Sequence, residues 1–215
     1  MFNIIQDTYK LYFRKLPLWA LFVLPLVLYS VADDYLRVYF ADCRFYIYLS
    51  VVLSPVVYAA VELAVYKYML KAELGKVWGT LKKLVLFAVI QFAAGFVMML
   101  PMFVFSRIAG HHQLGSLWIP FGLVANIFLG IWFFARINII LPMIVKGDKI
   151  TLKSFDKQVK NTYAFWVAVA ALIYFPYIAS YYLIGNSIVN VLVAGFLSVL
   201  QPLFNSLYYQ AKNHK

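Results

Sequence analysis

Glu62 and Arg136 are charged residues that stand deep within apolar sequence. A carboxylate and a guanidinium held away from water can pair and fix the register of two helices. They can also hold a lipid headgroup, an ion or a small anion. An unpaired charge at such depth costs at least about 2.5–3.5 kcal/mol on insertion scales, so two opposite charges at one depth are expected to meet. Four neutral polar residues, Gln91, Asn138, Gln201 and Asn205, stand in similarly apolar surroundings. Acid–base hydrolysis normally needs a second group beside a carboxylate such as Glu62. No HExxH, P-loop, GxSxG or glycine-rich dinucleotide turn is present. These residues therefore read as a non-enzymatic site with no cofactor and no metal.

The elements that must position them are six apolar stretches, Pro17–Ala32, Phe45–Met69, Leu84–Phe105, Leu117–Val145, Ala164–Ile184 and Ile188–Gln210. Hydrophobic residues make up 65% of the chain and charged ones 13%, against roughly 45–50% and 25% in a soluble domain. A run of about 20 apolar residues crosses a bilayer. Backbone groups in lipid must pair internally, so the expected spans are helices. Alternating segments of about ten residues, the mark of a membrane β-barrel, are missing. The expectation is an all-α integral membrane protein, a single domain over residues 1–215 with six transmembrane helices. Each stretch holds proline: Pro17 and Pro25, Pro55, Pro101, Pro120 and Pro142, Pro176, and Pro202. Kinked helices could open a cavity, as in transporters, although membrane helices are in any case rich in proline.

Short basic, amphipathic segments precede spans 1, 3 and 5. In the first, Phe2, Ile5, Tyr9, Tyr12 and Leu16 share a face opposite Asn3, Gln6, Asp7, Lys10 and Arg14. In the second, Leu74, Val77, Trp78 and Leu81 oppose Lys71, Lys76, Lys82 and Lys83. In the third, Leu152, Phe155, Val159 and Trp166 oppose Lys149, Lys153, Asp156, Lys157 and Lys160. Apolar residues three and four apart with lysine opposite predict helices lying in the headgroup region. Aromatic residues near span ends, among them Trp19, Tyr163, Trp166, Tyr208 and Tyr209, read as interface anchors. Gly75 and Gly79 form a GxxxG outside any span, a poor dimerisation signal.

The net charge of +11 follows from orientation. With alternating spans and a cytoplasmic N-terminus, the inner segments carry Lys10, Arg14, Lys15, Lys67, Lys71, Lys76, Lys82, Lys83, Lys146, Lys149, Lys153, Lys157, Lys160, Lys212 and Lys215. The outer ones carry Arg37, Arg44 and Arg107, with Asp33, Asp34 and Asp42 in the first outer loop. Such a bias places both termini in the cytoplasm and directs the basic side at anionic headgroups; no nucleic acid is implied. The first stretch resembles a signal peptide, but Pro17, Pro25 and Asp7 favour an uncleaved anchor. Counting along the helices puts Glu62 about 10 Å and Arg136 about 13 Å from the inner ends of their spans. Gln91, Asn138, Gln201 and Asn205 fall at similar height, so a polar layer is expected in the cytoplasmic third of the bundle. Cys43 is the single cysteine, so no internal disulfide forms. His111, His112, Asp33, Asp34, Asp42 and Cys43 lack the usual metal-ligand spacings and read as solvated loops.

Two stretches carry a family resemblance. Asp7-Thr8-Tyr9 through Phe13-Arg14-Lys15-Leu16-Pro17-Leu18 resembles the opening of the bacterial YciC-like inner-membrane proteins. The second comprises Arg136-Ile137-Asn138-Ile139-Ile140-Leu141-Pro142, Val145, Gly147, Ser154-Phe155 and Lys160-Asn161-Thr162-Tyr163-Ala164-Phe165-Trp166. It is similar to a pattern those proteins share with the membrane domain of some glycerophosphodiester phosphodiesterases. The resemblance implies a six-helix, multi-pass protein of the bacterial inner membrane and implies no phosphodiesterase activity. The functional expectation is a role in envelope or lipid homeostasis through binding of membrane lipids, protein partners or a second copy. A small transporter or channel is the alternative.

Overall fold

A computed structural model of the chain describes residues 2–40, 42–72, 77–111, 115–151, 159, 162–184 and 187–213. The elements among them are helical: α1 (Phe2–Arg14), α2 (Leu16–Phe40), α3 (Arg44–Leu70), α4 (Val77–His111), α5 (Gly115–Lys146), α6 (Tyr163–Ile184) and α7 (Ser187–Asn213). Four segments are long and apolar enough to cross a membrane: Leu16–Phe40, Arg44–Leu70, Phe128–Lys146 and Val189–Asn213. Helices α4 and α6 occupy the two remaining apolar stretches. Pro25, Pro55, Pro176 and Pro202 all lie inside helices.

Packing is concentrated towards one end of the bundle. Contacts there join the start of α2 to the end of α3, where Lys15 donates to the Tyr68 hydroxyl. They join α7 to α3 through Gln210 Nε2 and the Met69 carbonyl at 2.9 Å. Lys83 Nζ on α4 meets the Val145 carbonyl on α5 at 3.0 Å, and Tyr209 donates to Asp148. The lysines of these helix ends make this the basic end. Gly147 ends α5 at φ +78°, a conformation that costs glycine little. The Asp148 N–H then reaches back to the Met143 carbonyl at 3.0 Å.

Helix α7 is the hub, touching α1, α2, α3, α5 and α6. In its second half Val199, Leu200, Leu203, Phe204, Asn205, Ser206, Tyr208 and Tyr209 are buried. In its first half Gly195 lets α2 approach. A Cβ there would stand 2.6 Å from Val23 Cγ1.

Helix α1 has the predicted faces but a different partner. Asn3, Gln6, Asp7, Lys10 and Arg14 are exposed while Thr8 and Tyr12 are buried. The inward face packs on α7, with Tyr9 edge-on to Phe204 at 5.9 Å and the Tyr12 hydroxyl on the Phe196 carbonyl at 3.3 Å. Burial first, and the neighbouring Tyr9 second, push the Tyr12 phenol up to about 12, so it stays a neutral donor. The second amphipathic segment is, from Val77 onward, the first turns of α4; residues 73–76 lie outside the described residues. Of the third, residues 152–158 and 160–161 lie outside them too, while Val159 and Trp166 of its apolar face are buried.

Two further expectations are corrected. Helix α2 continues past Ala32 to Phe40, so Asp33, Asp34 and Arg37 are helical and the link to α3 shortens to residues 41–43. Trp19, Trp166, Tyr208 and Tyr209 are core residues. Trp19 packs edge-on to Tyr68 at 5.6 Å and Trp166 lies 5.1 Å from Tyr208. Large flat rings at helix crossings fill space that aliphatic side chains leave.

Candidate functional site

Glu62 lies on α3, one turn after Tyr58 and one turn before Tyr66, so the three share a face. Across from it α7 presents Ala194, Leu197, Ser198 and Gln201 at i, i+3, i+4 and i+7. Ala194 and Ser198 are small, and the space they leave is a partly open cavity of about 260 Å³ lined by Tyr58, Glu62, Ile173 and those four α7 residues. Most of its lining is apolar, and Glu62 is its acidic member.

The Glu62 side chain is buried, 7% exposed. The Gln91 amide of α4 hydrogen-bonds its carboxyl group, and its Oε2 has no hydrogen-bond partner. One turn on, Asn205 Nδ2 donates to the Tyr66 hydroxyl at 2.5 Å and to Asn138 Oδ1 at 2.9 Å. Gln201 Nε2 donates to the same Asn138 oxygen at 2.8 Å. Asn138 and Asn205 are fully buried. The structure thus brings Asn138, Gln201 and Asn205 together around Tyr66, and sets Gln91 against Glu62. The layer draws on α3, α4, α5 and α7.

Arg136 does not join it. Its Nη1 donates to the Tyr163 hydroxyl at 2.9 Å and to the Trp132 carbonyl at 3.3 Å, and its guanidinium lies 3.6 Å from the centre of the Trp132 ring. Among the described residues the ion pair found is Arg37–Asp33 at 2.8 Å, not Glu62–Arg136. The reason is angular. Arg136 and Asn138 are two residues apart, about 200° around the α5 axis. Asn138 faces the core, so Arg136 is turned to α6. Its direction is not the one that pairing requires.

The acids and cysteine at the far end are also placed differently. Asp33 Oδ1 accepts from the Tyr46 hydroxyl and from Ser50 Oγ, both at 2.7 Å, while its Oδ2 pairs with Arg37. This carboxylate clasps α2 to α3. Cys43 is a free thiol in the turn. His111 ends α4, and His112 lies outside the described residues.

Compared with family models, with curated proteins and with solved structures, this chain matches none. Its chemistry is therefore argued from its own residues.

Sequence reasoning missed Tyr58, Tyr66 and Ser198. The signal was there at helical spacing: Tyr58, Glu62 and Tyr66 are each four apart, and Ser198, Gln201 and Asn205 form a polar stripe on α7.

Proposed function

We propose that this chain is a non-enzymatic, six-span membrane protein that binds lipid within the bilayer. We place it in a bacterial inner membrane with both termini cytoplasmic, in the service of envelope or lipid homeostasis. The observation that carries this reading is the cavity between α3, α6 and α7, apolar over most of its lining and partly open. Its volume of about 260 Å³ exceeds the engineered cavity of about 150 Å³ that accepts benzene. It suits a headgroup or a chain terminus better than a whole lipid. The basic end supports the same reading, since lysines and exposed Trp78 and Phe13 complement anionic headgroups.

Native mass spectrometry of protein released from delipidating detergent tests this. Wild type is expected to keep at least one lipid that Ala194→Trp, which fills the cavity, does not keep at unchanged folded yield. Equal lipid content in the two proteins would overturn the reading.

A further inference from the structure

We propose that the cavity beside Glu62 is a recognition site for a primary ammonium group, carried by a lipid headgroup or by a free amine. This deepens the lipid-binding reading and rests on its premise that the cavity takes a ligand.

Of the four polar side chains that line the cavity among the described residues, Tyr58, Glu62, Ser198 and Gln201, the last three each bring an acceptor oxygen. Glu62 brings a carboxyl group whose Oε2 has no hydrogen-bond partner. Ser198 has already spent its hydroxyl proton on the Gly195 carbonyl at 2.6 Å, so its oxygen can only accept. Gln201 gives one N–H of its Nε2 to Asn138, and its Oε1 is an acceptor beside the remaining N–H. Pro202, one residue further along α7, has no N–H to give to the carbonyl of Ser198 four residues back. A wall of this kind, with a carboxyl group and, among the described residues, no cationic side chain, disfavours anions. It matches a cation that carries several N–H donors. A buried carboxylate is tolerated when it is paired and hydrogen-bonded, and among the described residues no ion pair forms at Glu62. A ligand ammonium supplies the missing charge and the missing donor together.

The same geometry sets the selectivity. A primary ammonium has three N–H donors for Glu62, Ser198 and Gln201. A trimethylammonium has none and is bulkier in a cavity of about 260 Å³. A hydroxylated headgroup such as glycerol can donate but brings no positive charge. Hydrogen bonds to charged groups are stronger than neutral ones, so a preference of at least about tenfold, about 1.4 kcal/mol, is expected.

The protein is placed in nanodiscs of defined composition, and the retained lipid is identified by native mass spectrometry. With phosphatidylethanolamine, phosphatidylcholine and phosphatidylglycerol in equal amounts, wild type is expected to hold phosphatidylethanolamine at least about tenfold over either competitor. In discs of phosphatidylglycerol alone, titration with ethanolamine or n-butylamine separates the sources. Saturable binding there, with no headgroup preference in the mixture, assigns the site to a free amine. Glu62→Gln keeps the shape and the contact with Gln91, and is expected to abolish the preference at unchanged yield. Ser198→Ala is expected to weaken it several-fold. The comparison in wild type needs no variant. No amine preference in either arm would overturn the proposal. If Ala194→Trp still expels a lipid while headgroups are held without distinction, lipid binding stands and the ammonium site falls. If Ala194→Trp expels neither a lipid nor the added amine, both fall.

Discussion

Asp33 and Glu62 are both carboxylates enclosed by apolar helices, and the fold treats them in opposite ways. Asp33 is surrounded by donors: Tyr46, Ser50 and Arg37 use both of its oxygens. Glu62 is more deeply buried, beside a cavity, with Gln91 as its partner and one oxygen without a donor. The first arrangement is what a joint between two helices needs, because every polar group is satisfied within the protein. The second leaves chemistry unfinished, and groups left so are the ones that ligands complete. Depth and charge type do not separate a joint from a site; the completeness of the partner set does.

The sharpest way to break the comparison is to remove the joint. Asp33→Ala leaves Ser50 and Arg37 without this acceptor and Tyr46 with only the Asp33 main-chain carbonyl, and is expected to destabilise the bundle by about 2–3 kcal/mol. Unfolding by SDS titration in mixed micelles reads this. Retention of lipid at the cavity should be unchanged in the fraction that folds. A stability loss under about 0.5 kcal/mol would remove Asp33 from its structural role.

Helix α7 offers a second contrast, closed against α2 and open against α3. At Gly195 the α2 side is so close that a methyl group would meet Val23 Cγ1 at 2.6 Å. Valine is stiff about χ1 and yields little, so Gly195→Ala is expected to cost about 1–2 kcal/mol by overpacking. Adding Val23→Ala should restore most of it. One helical step away, Ala194 faces the cavity, and there a larger side chain should be tolerated without loss of folded yield. Equal penalties at the two positions would show that the cavity is not open space.

Glu62→Gln is expected to change stability by less than about 1 kcal/mol, in either direction. A buried carboxylate with one good partner gains little from its charge, and a neutral amide of the same shape loses little. The retained ligand, not the unfolding curve, is where this substitution should be felt. A loss comparable with that of Asp33→Ala would make Glu62 a second joint.

How far the sequence could see follows from what can be counted along a helix. Depth is countable, and the residues expected at one level, Asn138, Gln201 and Asn205, do meet there around Tyr66. The two faces of α1 were readable because Asn3, Gln6, Asp7, Lys10 and Arg14 mark the outer one. Azimuth was not readable in α4 and α5, which are apolar nearly all round and carry no polar stripe to show which side faces in. That is why Arg136 could be set at the level of Glu62 yet turned to Trp132 and Tyr163. The end of α2 was hidden for a related reason. Acidic residues normally mark a loop, but Asp33 stays helical because Tyr46 and Ser50, on the next helix, satisfy it. The cavity could not be inferred at all, since it depends on Ala194 and Ser198 facing Tyr58 and Glu62 across a helix pair.

The smallest expected effect tests the separation of the two intramembrane charges. Glu62→Gln, Arg136→Gln and the double substitution form a thermodynamic cycle. An ion pair would appear as a coupling of about 0.5–3 kcal/mol between the two sites. With Glu62 held by Gln91 and Arg136 stacked on Trp132, the unfolding free energies are expected to add to within about 0.5 kcal/mol. The aromatic partner supplies the positive control: Arg136→Gln and Trp132→Leu should couple measurably, since a guanidinium over a tryptophan ring at 3.6 Å contributes about 0.5–2 kcal/mol. Coupling of Arg136 to Glu62 but not to Trp132 would reverse the assignment. It would then make Glu62 a paired carboxylate like Asp33, with nothing left for a ligand to complete.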